Sequence, residues 1–176
     1  MKTNITIIGM AGVGKTFTSK YLSEKLGFDH IETDAVISSL AKDIGVDEKD
    51  LSDNDFINLE ERAILSLDNP SYKVLDTGGS VIYSEKSMDF LKSNSTIIYL
   101  EDKLENIRNR FEDRTKNVGE VKIVGMLDKT FEELLNERIP LYEKYADVTV
   151  NIMGTNDPKK VLDHIIEKIL PASSLD

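Results

Sequence analysis

At 176 residues the chain has the length of one domain, enough to bury roughly two thirds of the surface that its unfolded form exposes. Its 32 acidic and 22 basic residues give a formal net charge of −10, which repels a nucleic-acid backbone and argues against such a partner. There is no cysteine, which excludes a disulfide framework, a thiolate zinc site and a cysteine nucleophile. His30 and His164 are the only histidines, too few for a histidine metal site, and each is expected on the surface or on a helix. No run approaches the roughly 20 apolar residues of a membrane span. The opening residues lack the charged, apolar and small-residue regions of an export signal, so no membrane partner and a cytoplasmic location are expected.

The elements alternate along the chain. Ile5 to Ile8 is a β-branched run ending at Gly9, the pattern of a buried strand. Phe17, Tyr21, Leu22 and Leu26 then recur at helical spacing, and Gly27 supplies a stop. Asp29 to Glu32 reads as a second strand, Ala35 to Ile44 as a helix, and Leu51 to Leu67 as another helix with Asp53 or Asn54 as its cap. Tyr72 to Leu75, Thr96 to Leu100 and Val148 to Val150 with Ile152 are further strands, separated by helical patterns. Such alternation predicts an α/β fold with a parallel sheet covered on both faces. Residues 115–129, glycine-containing and charged, have the least pattern and are compatible with a mobile lid or an ordinary surface loop.

Gly9-Met10-Ala11-Gly12-Val13-Gly14-Lys15-Thr16 fits the phosphate-loop pattern G-x-x-x-x-G-K-[ST], between a predicted strand and a predicted helix as the motif requires. Glycines let the backbone turn so that successive N–H groups point at phosphate oxygens, and the helix N-terminus adds partial positive charge. Lys15 is then expected on the β- and γ-phosphates, and the Thr16 hydroxyl on the bridging Mg²⁺. Gly12, Val13, Gly14, Lys15, Thr16 and Phe17 make up the nucleotide-binding run. GTPases, ATPases and kinases share this loop, which identifies only the phosphoryl donor.

Three further segments point to the acceptor: His30 to Asp34, the run Val74-Leu75-Asp76-Thr77-Gly78-Gly79-Ser80, and Glu137 to Asp147, which contains Arg138-Ile139-Pro140-Leu141-Tyr142. In these residues the chain resembles the shikimate kinase family, with an acidic-x-Asp after the second strand, a T-G-G-G turn after the third and R-x-P-L-Y near the end. The correspondence runs in order from Ile5 to about Leu170. It implies a P-loop domain of the nucleoside monophosphate kinase type, with a five-stranded parallel sheet flanked by helices. The whole chain would form one kinase domain, with a small substrate-binding helical region at about residues 34–68 and a lid at about 115–129. It further implies ATP as co-substrate, Mg²⁺, and phosphorylation of a small hydroxylated metabolite, shikimate giving shikimate 3-phosphate. A monomer is the expected state.

Carried over residue by residue, the resemblance assigns catalysis to Lys15 and Asp34, with Asp34 holding the acceptor hydroxyl. Gly78, Gly79 and Arg138 join Asp34 as substrate contacts, Glu32 lies near the magnesium and its waters, and Arg110 packs on the adenine. Asp76, ending an apolar strand, is where P-loop enzymes often place a carboxylate that positions Mg²⁺, giving Thr16, Glu32 and Asp76 as the metal-side residues. Simpler roles stay open: Asp34 as a helix cap, Asp76 as a turn residue and Arg110 as a solvated helix charge.

The chain departs from the family pattern at the acceptor. Where the family has an arginine that binds the carboxylate of shikimate, the run Phe56-Ile57-Asn58-Leu59-Glu60 carries Ile57, which cannot donate a hydrogen bond. Arg62, one helical turn further, is a candidate replacement. Ser80 stands for the third glycine of the turn, and the lid lacks the family's Arg-Pro, for which Arg114 could compensate. These differences leave two alternatives to a shikimate kinase: a kinase for another polyol or hydroxy-metabolite, and a nucleotide-binding module without transfer activity.

Overall fold

The computed structural model describes residues 2–67, 71–118, 122–152, 159–160, 162–163 and 166. Five strands form one sheet: β1 (Asn4–Ile8), β2 (Asp29–Glu32), β3 (Lys73–Asp76), β4 (Ser95–Glu101) and β5 (Val148–Asn151). They lie in the order β2-β3-β1-β4-β5 and every neighbouring pair is parallel. All five residues of β1 are buried, as its apolar run requires for a central strand covered on both faces. The helices are α1 (Lys15–Leu26), α2 (Thr33–Asp43), α3 (Asp53–Leu65), α4 (Glu85–Asn94), α5 (Leu104–Val118) and α6 (Phe131–Tyr145).

Sequence boundaries shift where local hydrogen bonds decide them. α2 begins at Thr33, two residues earlier than its apolar pattern, so Asp34 lies in the first turn and Glu32 holds the cap position. Asp34 is therefore not a helix cap. α3 is capped by Ser52, whose hydroxyl accepts from the Asp55 N–H, rather than by Asp53 or Asn54, and Leu51 lies outside the helix. Phe17, placed in the apolar stripe of α1 by its spacing, faces outward at 46% exposure. His30 sits in edge strand β2 with its side chain 17% exposed, more buried than a surface role implies. His164 and Leu170 lie outside the described residues.

Two apolar layers sandwich the sheet. Ile5, Ile7, Met10, Val13, Leu22 and Leu134 belong to one, and Ile8, Ile64, Leu75, Val81, Met88 and Tyr142 to the other. A smaller cluster of Ile37, Ala41, Leu59 and Ala63 joins α2 to α3. Of residues 115–129, the first four finish α5 and 119–121 lie outside the described residues. The following segment is tied down: the Gly125 N–H donates to Asp53 Oδ2 at 2.6 Å, and Arg138 Nη2 donates to the Val124 carbonyl at 2.7 Å. No helix among the described residues is long and apolar enough to cross a membrane.

β1 and β4 are neighbours whose connections leave in opposite directions, toward β2 and toward β5. In an open parallel sheet that arrangement opens a crevice beyond the carboxyl ends of the strands. Gly9 stands at its base with φ +144°, and an added Cβ would lie 2.9 Å from the Leu100 carbonyl oxygen and 3.1 Å from Val13 Cγ1. Both the dihedral and the backbone obstacle resist any side chain. Gly9→Ala is expected to lower unfolding stability in urea by about 1–3 kcal/mol; a loss under about 0.5 kcal/mol would show that the β1–β4 junction yields.

Candidate active site

The loop after β1 turns through left-handed glycines, Gly12 at φ +87° and Gly14 at φ +106°. Gly14 occupies the cap position of α1 without any side-chain hydrogen bond, whereas α3, α4 and α6 are capped by Ser52, Ser84 and Thr130. The first N–H groups of α1 are thus left for an anion. Val13 is buried beneath the loop and Thr16 is exposed above it. Lys15 Nζ curls back to the Met10 carbonyl at 3.2 Å. Phe17 stacks on Tyr21, with ring centroids 6.4 Å apart.

Arg110, on α5, is more than a solvated helix charge. Its Nε donates to the Gly12 carbonyl at 2.7 Å, and its Nη2 pairs with Asp102, whose side chain is 2% exposed. Burial alone would raise the Asp102 carboxyl, but hydrogen bonds from Arg110, Asn106 and the Lys103 N–H hold it below the usual range. The pair braces the phosphate loop from the α5 side.

Three carboxylates reach the carboxyl edge of the sheet together. Glu32 and Asp76 are register partners in β2 and β3, and Asp34 follows two residues after Glu32. With Thr16, Lys20 and Arg114 they line a cavity of about 350 Å³. Glu32 pairs with Lys20 at 3.2 Å. Asp34 is exposed to the open cleft, yet the protein packed around its carboxyl raises its pKa, with Lys15 opposing the rise and Asp76 adding to it. Burial likewise lowers the Lys15 pKa, against the attraction of Asp76 and Asp34. These are hard oxygen donors suited to Mg²⁺, but no group of three or more histidine, cysteine or acidic side chains among the described residues could hold a metal ion alone. That donor set fits a cation coordinated chiefly by water and nucleotide phosphates.

A second cavity, about 190 Å³, shares Thr16, Asp34, Asp76 and Arg114 with the first and continues past Lys15 to the turn after β3. A Cβ on Gly78 would lie 2.5 Å from Glu60 Oε1, and one on Gly79 would lie 2.9 Å from Arg138 Nη1. At both positions the space a Cβ would take is filled by the end of a buried ionisable side chain. Thr77 and Tyr142 fix its backbone through bonds of 2.8 Å each to the Ile7 and Gly79 carbonyls.

Arg138 is 1% exposed, donating from Nε to the Tyr83 hydroxyl and from Nη2 to the Val124 carbonyl. Its Nη1 contacts the Met10 sulfur at 3.6 Å, and among the described residues it pairs with no carboxylate. A buried guanidinium without a counter-ion is costly unless a ligand supplies one. Glu60 is also 1% exposed; its Oε2 accepts from Ser80, while among the described residues Oε1 has no hydrogen-bond partner.

Ile57 does not line either cavity. Arg62 does not replace it, because Arg62 lies in a separate groove with Asn58, Leu59 and Leu51. Arg114 does reach both cavities, at the junction between them. Sequence reasoning missed Asp102, Glu60 and Lys122. Glu60 carried a signal: it sits on the buried stripe of α3 with Ala63 and Ile64, where a lone acid is conspicuous.

A phosphate loop springing from the central strand of a parallel five-stranded sheet, with carboxylates at neighbouring strand ends, defines a P-loop kinase of the nucleoside monophosphate kinase type. A family model for shikimate kinase matches residues 11–170. The shikimate kinase of Actinobacillus pleuropneumoniae serotype 5b is 34% identical over 174 residues, covering 96% of each chain. That of Dehalococcoides mccartyi is 31% identical over 159 residues, covering 86% of this chain and 85% of its relative. The chain belongs to the shikimate kinase family. Among solved structures, the shikimate kinase of Acinetobacter baumannii in complex with shikimate superposes with a TM-score of 0.76 at 24% identity, covering 100% of this chain and 97% of that one. The Aquifex aeolicus enzyme gives 0.66 at 23% identity over 94% and 95%. These two establish the fold.

Burial raises the Glu60 pKa from 4.5 to about 7, with the Ser80 hydrogen bond opposing and Asp34 adding to the rise. Because the folded value exceeds the unfolded one, the stabilisation from a protonated Glu60 is complete below about pH 4.5 and is lost as pH rises to about 7. Relative to Glu60→Gln, the wild type should lose on the order of 3 kcal/mol of unfolding free energy across that window. Parallel pH profiles for the two proteins in denaturant titrations would remove Glu60 from the buried titratable groups.

Proposed function

We propose that the protein transfers the γ-phosphoryl group of ATP to a hydroxyl of shikimate, giving shikimate 3-phosphate and ADP. The carrying observation is that Asp34, Gly78, Gly79 and Arg138 line one cavity with Lys15 and Thr16, so donor and acceptor groups open onto the same space. Phosphoryl transfer needs in-line placement and charge compensation more than covalent help from the protein. The loop backbone from Gly12 to Phe17 cradles the phosphates, and Lys15 offsets charge on the transferring group. Arg110, braced by Asp102, presents its guanidinium to the adenine. Mg²⁺ would be held by Thr16 with Glu32 and Asp76 acting on its waters, and when bound it neutralises charge on the β- and γ-phosphates.

Asp34 orients the acceptor hydroxyl and takes its proton as the new P–O bond forms and the bond to ADP breaks. Gly78 and Gly79 bring bare backbone to the substrate, and Arg138 supplies the buried positive charge an anionic acceptor needs. Asp34 of α2 and Phe56 of α3 border the acceptor side together with Lys122, Ile123 and Val124, which supports assigning a substrate-binding region and a lid there. Ile57 favours one second reading, a kinase of the same type for another polyol or hydroxy-acid.

A coupled ADP-release assay with shikimate, quinate, gluconate, homoserine and nucleosides separates these readings. Turnover with shikimate is expected; none at millimolar shikimate would overturn the assignment. Lys15→Ala should abolish turnover, and Asp34→Asn should lower kcat by about 100-fold or more with nucleotide binding largely kept. Near-normal rates in Asp34→Asn would take Asp34 out of the mechanism.

A further inference from the structure

Glu137 and Arg138 are consecutive on α6, and successive helix residues leave the axis about 100° apart, so Glu137 faces solvent while Arg138 is buried. Tyr83, which ends the single helical turn Val81–Tyr83 beyond Gly79, reaches both. Its hydroxyl donates to Glu137 Oε1 at 2.7 Å and accepts from Arg138 Nε at 3.2 Å. The guanidinium carbon lies 5.2 Å from the centre of the same ring. Glu137 Oε2 in turn pairs with Lys129, in the segment that precedes α6. Lys129, and after it Tyr83, holds the Glu137 carboxyl below the usual range, so it is ionised at neutral pH.

We propose that Tyr83 is a positioning residue for Arg138: oriented by Glu137, its hydroxyl links an exposed carboxylate to the buried guanidinium and keeps Nη1 turned to the acceptor. This rests on the acceptor assignment above, in which Arg138 contacts the substrate. A phenolic hydroxyl carries one proton. With that proton committed to Glu137, only lone pairs face Arg138, whose N–H groups can only donate. Nε and Nη2 are then taken by Tyr83 and the Val124 carbonyl. Nη1 lies against Gly79 and contacts the Met10 sulfur, a weak acceptor, at 3.6 Å. A carboxylate placed directly on the guanidinium would compete with an anionic acceptor. The intervening hydroxyl offsets part of the burial cost and leaves the positive charge available. Without Glu137 the hydroxyl proton is free to turn toward the guanidinium, which it repels.

Steady-state kinetics with shikimate and ATP test this role. Tyr83→Phe keeps the ring beside the guanidinium and removes the hydroxyl; it should raise KM for shikimate about 10-fold and leave kcat and KM for ATP within about threefold. Glu137→Leu should raise KM for shikimate about three- to tenfold, and Glu137→Gln, whose amide oxygen still accepts from Tyr83, should restore most of it. In the Tyr83→Phe background Glu137→Leu should add less than about twofold, because both changes break one connection. An unchanged KM for shikimate in Tyr83→Phe, or additive effects in the double variant, would overturn the proposal. A fall in kcat with a rise in both KM values would show that Tyr83 only supports the fold, which overturns it equally. Absence of shikimate turnover in the wild type itself would instead overturn the acceptor assignment, and this role with it.

Discussion

A chain of net charge −10 that grips a polyanion cannot rely on its overall field. The grip comes from backbone geometry where β1 ends. Gly12 and Gly14 take left-handed dihedrals that turn N–H groups inward, and the uncapped start of α1 lies directly after them. The neighbouring structure then follows from packing around bare backbone. A Cβ at Gly12 would meet the Ile107 carbonyl at 2.5 Å, so α5 rests on the loop, and that contact brings Arg110 within reach of the Gly12 carbonyl. Asp102 in turn accepts from Arg110 Nη2.

The acceptor side uses the same device with different partners. At the turn after β3, missing side chains let Glu60 and Arg138 approach from below, and hydrogen bonds from Thr77 and to Gly79 set the turn's height over the sheet. Glu60 and Arg138 are both almost fully buried, and neither is neutralised by a direct ion pair among the described residues. Such groups cost stability when they are buried without a partner of opposite charge. Ser80, which departs from the family's glycine, gives Glu60 a hydrogen bond and so limits that cost.

The fold was largely legible because its signals are local. Strand and helix alternation, the phosphate-loop spacing and the Gly27 stop each depend on a few adjacent residues, and the sheet contains all five expected strands. Boundaries moved where hydrogen bonds outrank hydrophobic pattern, as at Thr33 and Ser52. Asp34, Asp76, Gly78, Gly79 and Arg138 were also readable, since each sits in a short motif at a strand end or on one helix. Their convergence on one cavity was expected only through the family resemblance, since no local pattern brings these separated segments together.

The sequence by itself determined that the chain holds a nucleotide on a phosphate loop within a parallel α/β sheet, because the loop's dihedral demands and the period of its flanking elements are written in consecutive residues. Only the tertiary structure decided how the acceptor side is charged. Arg62, close to Ile57 along the helix, turns into a separate groove, while Lys122, about 60 positions further along the chain, lines the cavity beside Phe56. The reason is physical: a helix directs residues five apart to different faces, and which distant loop covers the open face is set by long-range packing that no local pattern encodes.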